Sequence, residues 1–206
     1  MKVFSEQECP QGSDTWFELR KGVPTASRFD RILTARTMKI SGQADGLIAE
    51  LIGEKFSLIT PENVEHYTNR AMRWGEECEA EARRWYSLET NGDVLQVGFC
   101  LTDDGRFGCS PDGLVGEDGG LELKCPQPKT QVEYLLANEL PAEYKAQVHG
   151  ALIVTEREWW DFLSYAPGLP PFVVRVTPNS YTRELRVALE MFWERYQESL
   201  ARVKSF

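Results

Sequence analysis

The sequence predicts an α/β domain in which a mixed central sheet is flanked by helices on both faces. Two observations carry this. Apolar runs of strand length alternate with segments of helical apolar spacing along the chain. Residues 109–126, CSPDGLVGEDGGLELKCP, set two stretches around a turn signal at Asp118-Gly119-Gly120, where glycine supplies positive φ for a hairpin. The 206 residues fit a single domain spanning 1–206, and 42% hydrophobic with 11% aromatic residues indicates a packed core.

Taken in order, Asp14 to Arg20 reads as a short helix with Asp14 at its N-cap. After the turn Gly22-Val23-Pro24, Thr25 or Ser27 caps a second helix with Phe29, Ile32 and Leu33 at helical spacing. Residues 43–56 place Leu47, Ile48, Leu51, Ile52 and Phe56 on one face. A polar loop at 60–65 leads to a long helix from Thr68 or Asn69 to about Leu88, with Trp74, Trp85 and Tyr86 directed inward and Gly75 permitting close backbone approach. Strands follow at 94–101 and 106–109, joined by a turn at 102–105. Beyond the hairpin, Pro126 and Pro128 end the strand. Helices are expected near Thr130 to Asn138 and after Pro141, the latter turning Tyr144, Gln147, Val148 and Ala151 to the sheet. Strands at 158–165 and 172–176 widen the sheet. A final helix from Ser180 carries the stripe Leu185, Leu189, Phe192 and Tyr196, suited to the sheet or to another subunit.

In the hairpin, alternation turns Glu122 and Lys124 to one face and Leu121 and Leu123 into the core, while the reversal brings Asp112 beside Glu122. Two carboxylates this close repel unless a positive charge lies between them, and Mg²⁺, for which Mn²⁺ can substitute, is the usual hard-oxygen solution. The backbone carbonyl of Leu123 would come alongside as a third oxygen ligand. Lys124 could orient or deprotonate a water, or stabilise charge on a phosphoryl group. The simpler alternative is a surface hairpin with a cross-strand ion pair of roughly 0.2 to 1 kcal/mol.

Composition sets further bounds. Five cysteines without C-x-x-C spacing, and two histidines, suit a reducing compartment and speak against zinc. The apolar runs are too short for a membrane span, and the chain is expected to be cytoplasmic with no membrane partner. A net charge of −9 opposes nucleic-acid binding, but Arg20, Lys21, Arg28, Arg31, Arg36 and Lys39 face only Asp30 between residues 20 and 39.

The string S-P-D-G-L followed by L-E-L-K-C-P resembles the lambda-type phage alkaline exonucleases of the viral recombinase group, whose fold is the restriction-endonuclease-like PD-(D/E)xK core. Supporting pieces fall in order over nearly the whole chain: W-F-E-L-R-K-G-V-P-T-A-S at 16–27, W-G-E-E-C-E-A-E-A at 74–82 and A-Q-V-H-G-A at 146–151. The resemblance implies a Mg²⁺-dependent enzyme degrading one strand of linear double-stranded DNA from its 5′ end. It also implies a ring-shaped homotrimer and a single-strand annealing protein as partner. It assigns Arg20, Ser27 and Ser110 to a terminal 5′-phosphate, with Lys129 the candidate for a further basic ligand. Glu79 falls to the metal site, Gln147 beside the catalytic lysine, and Met72 against the terminal base pair, with Arg36 a weaker DNA contact. From the residues alone, Ser27 could be a helix cap, Met72 core, and Gln147 a partner for backbone groups. A restriction-type endonuclease, or a non-catalytic DNA-binding protein on the same core, are the rival readings.

Overall fold

A computed structural model describes residues 1–57, 70–90 and 92–206, residues 70–77 by their backbone alone. The loop expected at 60–65 and the start of the following helix lie outside the described residues. The elements are β1 (Lys2–Ser5), α1 (Asp14–Arg20), a 3₁₀ helix (Ala26–Arg31), α2 (Ala44–Phe56), α3 (Arg70–Thr90), β2 (Val94–Leu95), β3 (Val97–Leu101), β4 (Gly108–Cys109), β5 (Gly113–Val115), β6 (Gly119–Lys124), α4 (Pro128–Ala137), α5 (Ala142–Thr155), β7 (Trp159–Ser164), β8 (Phe172–Val176) and α6 (Ser180–Lys204).

The expected mixed central sheet is present as the five-stranded β2-β5-β6-β7-β8, and among the described residues a second, three-stranded sheet, β1-β3-β4, takes strands that the sequence reading had assigned to the first. Only β6 and β7 run parallel in the larger sheet, because the crossover through α4 and α5 lies between them. Strand β6 is therefore central, with a partner on each edge. Alternation assigns its faces. Leu121 and Leu123 cluster with Ala82 and Tyr86 of α3 on one side. On the other, α5 stacks Tyr144 on Phe162 of β7 with ring centroids 5.1 Å apart.

Several local expectations are corrected by the packing. The hairpin loop is residues 116–118, since Val115 pairs with Gly119, and its positive-φ residue is Gly116 at +54°. Gly119 and Gly120 lie inside β6, where an added Cβ would fall 2.1 Å from the Trp159 ring and 2.2 Å from the Trp160 ring, so absence of a side chain matters there for space. The cap of α1 is Ser13, whose side chain accepts from the Trp16 N–H, with Asp14 inside the helix. The segment after Thr25 is 3₁₀, and Thr25 makes no side-chain cap bond. Phe56 is exposed at the end of α2, while Pro128 opens α4 instead of merely ending a strand. The α6 stripe Leu185, Leu189, Phe192 and Tyr196 is buried in the chain's own core.

His149 of α5 is 1% exposed, and a ring nitrogen lies 2.9 Å from the Thr182 hydroxyl. Burial, with a smaller push from the Lys145 ammonium, depresses its pKa to about 4. A depressed folded pKa means the unfolded chain takes up the proton first, so stability present above pH ~6.5 is lost as pH falls toward 4. Between pH 7 and pH 5 this group should remove about 2 kcal/mol of unfolding free energy. Urea unfolding at both pH values should show a loss smaller by that amount in His149→Asn, and equal losses in the two proteins would contradict the assignment.

Candidate active site

Glu122 sits mid-strand in β6 and is 3% exposed. Its Oε1 receives the Lys124 ammonium at 2.5 Å and the Gln147 side-chain amide at 2.6 Å. Asp112 arrives from the segment before β5, where its N–H donates to the Leu121 carbonyl at 3.2 Å. Because β5 begins only at Gly113, the Leu123 N–H has no strand partner and donates to the Asp112 carboxylate at 2.6 Å. The N–H and C=O of one strand residue point to the same edge, which places the Leu123 carbonyl on the Asp112 side. The structure thus brings Asp112, Glu122, Leu123, Lys124 and Gln147 together.

The electrostatics show a site short of positive charge. Burial pushes the Glu122 carboxyl up to about 7; the Lys124 ammonium opposes this, and the charges of Asp112 and Glu79 add to it. For Lys124, burial works against the charge, but Glu122 and Asp112 outweigh it and hold the ammonium above the usual lysine range. Among the described residues, no group of three or more His, Cys, Asp or Glu side chains is arranged to hold a metal. The donor set is two mutually repelling carboxylates with a backbone carbonyl on the same edge, and its hard oxygens and unbalanced negative charge fit a small dication.

Glu79 is half-buried on α3. One turn on, the Arg83 Nε donates to the Asp112 carbonyl at 3.4 Å, a link between α3 and the acid-bearing loop absent from the sequence reading. Met72, Trp74 and Gly75 fall where side chains are outside the described residues.

A narrow cleft runs from Glu122 and Gln147 to Arg20, Ser27 and Ser110. Arg20 donates to the Ser110 hydroxyl at 3.0 Å and the Thr25 hydroxyl at 3.4 Å, and stacks 4.1 Å from the Trp16 ring centroid. Trp16 Nε1 donates to the same Ser110 oxygen at 2.9 Å. With both lone pairs of that oxygen engaged, the Ser110 proton is left to donate elsewhere. The Thr25 and Ser27 hydroxyls lie 3.3 Å apart. Burial, then the like charge of Arg28, lower the Arg20 pKa to about 10, and Arg20 joins none of the ion pairs made among the described residues. A guanidinium held by neutral hydroxyls is a receptor for an anion. Trp16 and Thr25 were missed as parts of this cradle, although the i, i+4 spacing of Trp16 and Arg20 on a helix signals a shared face.

The remaining candidates lie apart. Lys129 is 88% exposed in the first turn of α4, 3.6 Å from Glu133, and does not line the cleft. Arg36 is exposed in the turn after Leu33. The basic stretch is also less basic than its composition: Lys21 pairs with Glu18, Arg28 with Glu54 and Arg31 with Glu50. No helix among the described residues is long and apolar enough to cross a membrane.

Residues 15–158 match the YqaJ-like viral recombinase domain. The chain is similar to the alkaline exonuclease LHK-Exo from Laribacter hongkongensis, with 30% identity and TM-score 0.80 over 94% of this chain and 97% of that one. LHK-Exo in complex with dAMP gives 31% identity and TM-score 0.79 over the same shares. A phage-related exonuclease from Haemophilus somnus 129PT shares the fold at 10% identity and TM-score 0.58, over 89% of this chain and 99% of that one. No curated protein matches the chain. With the domain match covering most of its length, and an Asp/Glu/Lys site on a mixed sheet flanked by helices, the chain belongs to the viral recombinase family of lambda-type alkaline exonucleases that its motifs resemble.

Proposed function

We propose that this protein is a Mg²⁺-dependent DNA exonuclease that removes nucleotides from the 5′ end of one strand of linear duplex DNA, leaving a 3′ single strand for recombination. The observation carrying this reading is one cleft lined both by the acid site, at Glu122 and Gln147, and by the anion cradle, at Arg20, Ser27 and Ser110. A restriction-type endonuclease needs the first group but has no use for an end receptor beside it. The likeness to LHK-Exo, an alkaline exonuclease solved with dAMP, supports the same class.

Asp112, Glu122 and the Leu123 carbonyl would hold the ion, with Glu79 nearby. Bound there, it would polarise the scissile phosphate and acidify an attacking water. The protein's own groups do the rest. Lys124, already an ammonium against Glu122, supplies fixed positive charge where the phosphorane gathers negative charge. Gln147 fixes Glu122 through its amide N–H and leaves its carbonyl oxygen to orient the water. Arg20 and the Ser110 hydroxyl donate to the terminal phosphate. Breaking the P–O3′ bond leaves a new 5′-phosphate, the group this cradle receives. The same reading takes the working form to be a homotrimeric ring in a bacterial host's cytoplasm, passing its product to a single-strand annealing protein.

The end receptor supplies the test. A 5′-phosphorylated duplex should be cut about 10-fold or more faster than a 5′-hydroxyl duplex, in line with charge-assisted hydrogen bonds worth about 1.5–3 kcal/mol. Arg20→Ala should erase most of that preference. Equal rates on both ends with the unaltered protein would count against an exonuclease of this polarity.

A further inference from the structure

Lys124 has a second neighbour that neither the motif nor the metal chemistry uses. Its ammonium lies 5.4 Å from the ring centroid of Tyr144, over the ring. The ring is itself packed: Phe162 of β7 stacks on it at 5.1 Å with 29° between planes. What meets Lys124 is therefore an aromatic ring held by packing against β7.

We propose that Tyr144 is a positioning residue for the reaction, its ring holding the Lys124 ammonium in place beside Glu122 through a cation–π contact. A lysine head is a point charge on a flexible four-carbon stem, and two contacts confine this one: the Glu122 carboxylate at 2.5 Å and the Tyr144 ring. Glu122 is a shared acceptor, its Oε1 also taking Gln147, and on the proposed reading its oxygens serve the ion as well. The ring has no other cation to serve among the contacts described. It is thus the contact that keeps the ammonium in register when Glu122 is engaged. Tyr144 precedes Gln147 by three residues on α5, so one helical face delivers both the ring for Lys124 and the amide for Glu122.

This inference rests on the proposed catalytic role of Lys124, and two readouts separate the two ideas. The first uses metal-free protein without DNA: amine acylation followed by peptide mass spectrometry. Lys124 should be modified several-fold faster in Tyr144→Leu and Tyr144→Met than in the unaltered protein, and at close to the original rate in Tyr144→Phe, which keeps the ring. The second is the single-turnover cleavage rate, expected to fall about 10-fold in the Leu and Met variants, the size of a partly desolvated cation–π contact, and to be largely rescued by Phe. DNA affinity in Ca²⁺ should be retained in all three, which also shows that they fold. Unchanged Lys124 reactivity in the Leu and Met variants would overturn the proposal, as would a Phe variant as slow as Leu, which would place the effect on the hydroxyl rather than the ring. If the unaltered protein does not cut DNA at all, the functional reading fails while the acylation result still decides whether the ring confines Lys124.

Discussion

Asp112→Asn should fold normally and cut DNA at least about 10³-fold more slowly than the unaltered protein. The expectation of folding comes from the Leu123 N–H, which donates to an Asp112 side-chain oxygen at 2.6 Å. An asparagine carbonyl accepts that bond equally well, whereas alanine would leave a strand N–H without its partner. Removing the Asp112 charge also removes one of the two like charges that push the Glu122 carboxyl up, so the variant should be no less stable than the parent. What it loses is an anionic ligand. Metal-assisted chemistry contributes several kcal/mol of charge stabilisation, and a site reduced to Glu122 and a backbone carbonyl should lose most of that. Calorimetric titration with Mg²⁺ should show weakened binding alongside the lost cleavage. A variant that binds Mg²⁺ normally, or keeps more than a trace of Mg²⁺-dependent activity, would remove Asp112 from the site.

Lys124→Ala should slow the chemical step by about 10²-fold or more while DNA binding persists. A preorganised charge next to the reacting group is worth roughly 3 to 4 kcal/mol by analogy with oxyanion-hole donors. Because Glu122 and Asp112 hold the lysine as an ammonium, the structure favours the electrostatic role over the general-base role for this residue. Lys124→Arg then becomes informative: it preserves charge but brings a wide planar head against Glu122 and the Tyr144 ring, so partial recovery is expected and full recovery is not. Single-turnover rates and Ca²⁺-supported DNA affinity, measured on the same preparations, check both statements. Normal cleavage by the Ala variant, or a loss of affinity equal to its loss of rate, would show that Lys124 is not the catalytic lysine.

The acid site was legible because its determinants are local. Alternation along L-E-L-K alone separates Glu122 and Lys124 from Leu121 and Leu123, and the structure keeps that separation across β6. The errors in the same hairpin are non-local. Gly119 and Gly120 look like turn residues, but the space they leave is taken by Trp159 and Trp160 from the parallel neighbour β7, a strand separated from them by two helices. Strand β1 escaped notice because Lys2–Ser5 is short and only half-buried, and it exists by pairing with β3 across most of the first half of the chain. The division into two sheets was hidden for a related reason: β4 and β5 nearly adjoin in sequence, and only pairing partners show that they part company. Within the cleft, Arg20, Ser27 and Ser110 had been put together by family resemblance; the parts that hold them, Trp16 and Thr25, became visible only through their hydrogen bonds. Charge patterning misled for the stretch 20–39, since the acids neutralising Arg28 and Arg31 come from α2.

The most direct measurement of the central claim uses one linear duplex labelled at its 5′ ends in one sample and at its 3′ ends in another, followed on a denaturing gel with and without Mg²⁺. With Mg²⁺, the 5′ label should leave at once as mononucleotide while the 3′-labelled strand shortens progressively; without it, both should remain full length. Early loss of the 3′ label as mononucleotide, discrete internal fragments, or cleavage unaffected by removal of the ion would contradict the account.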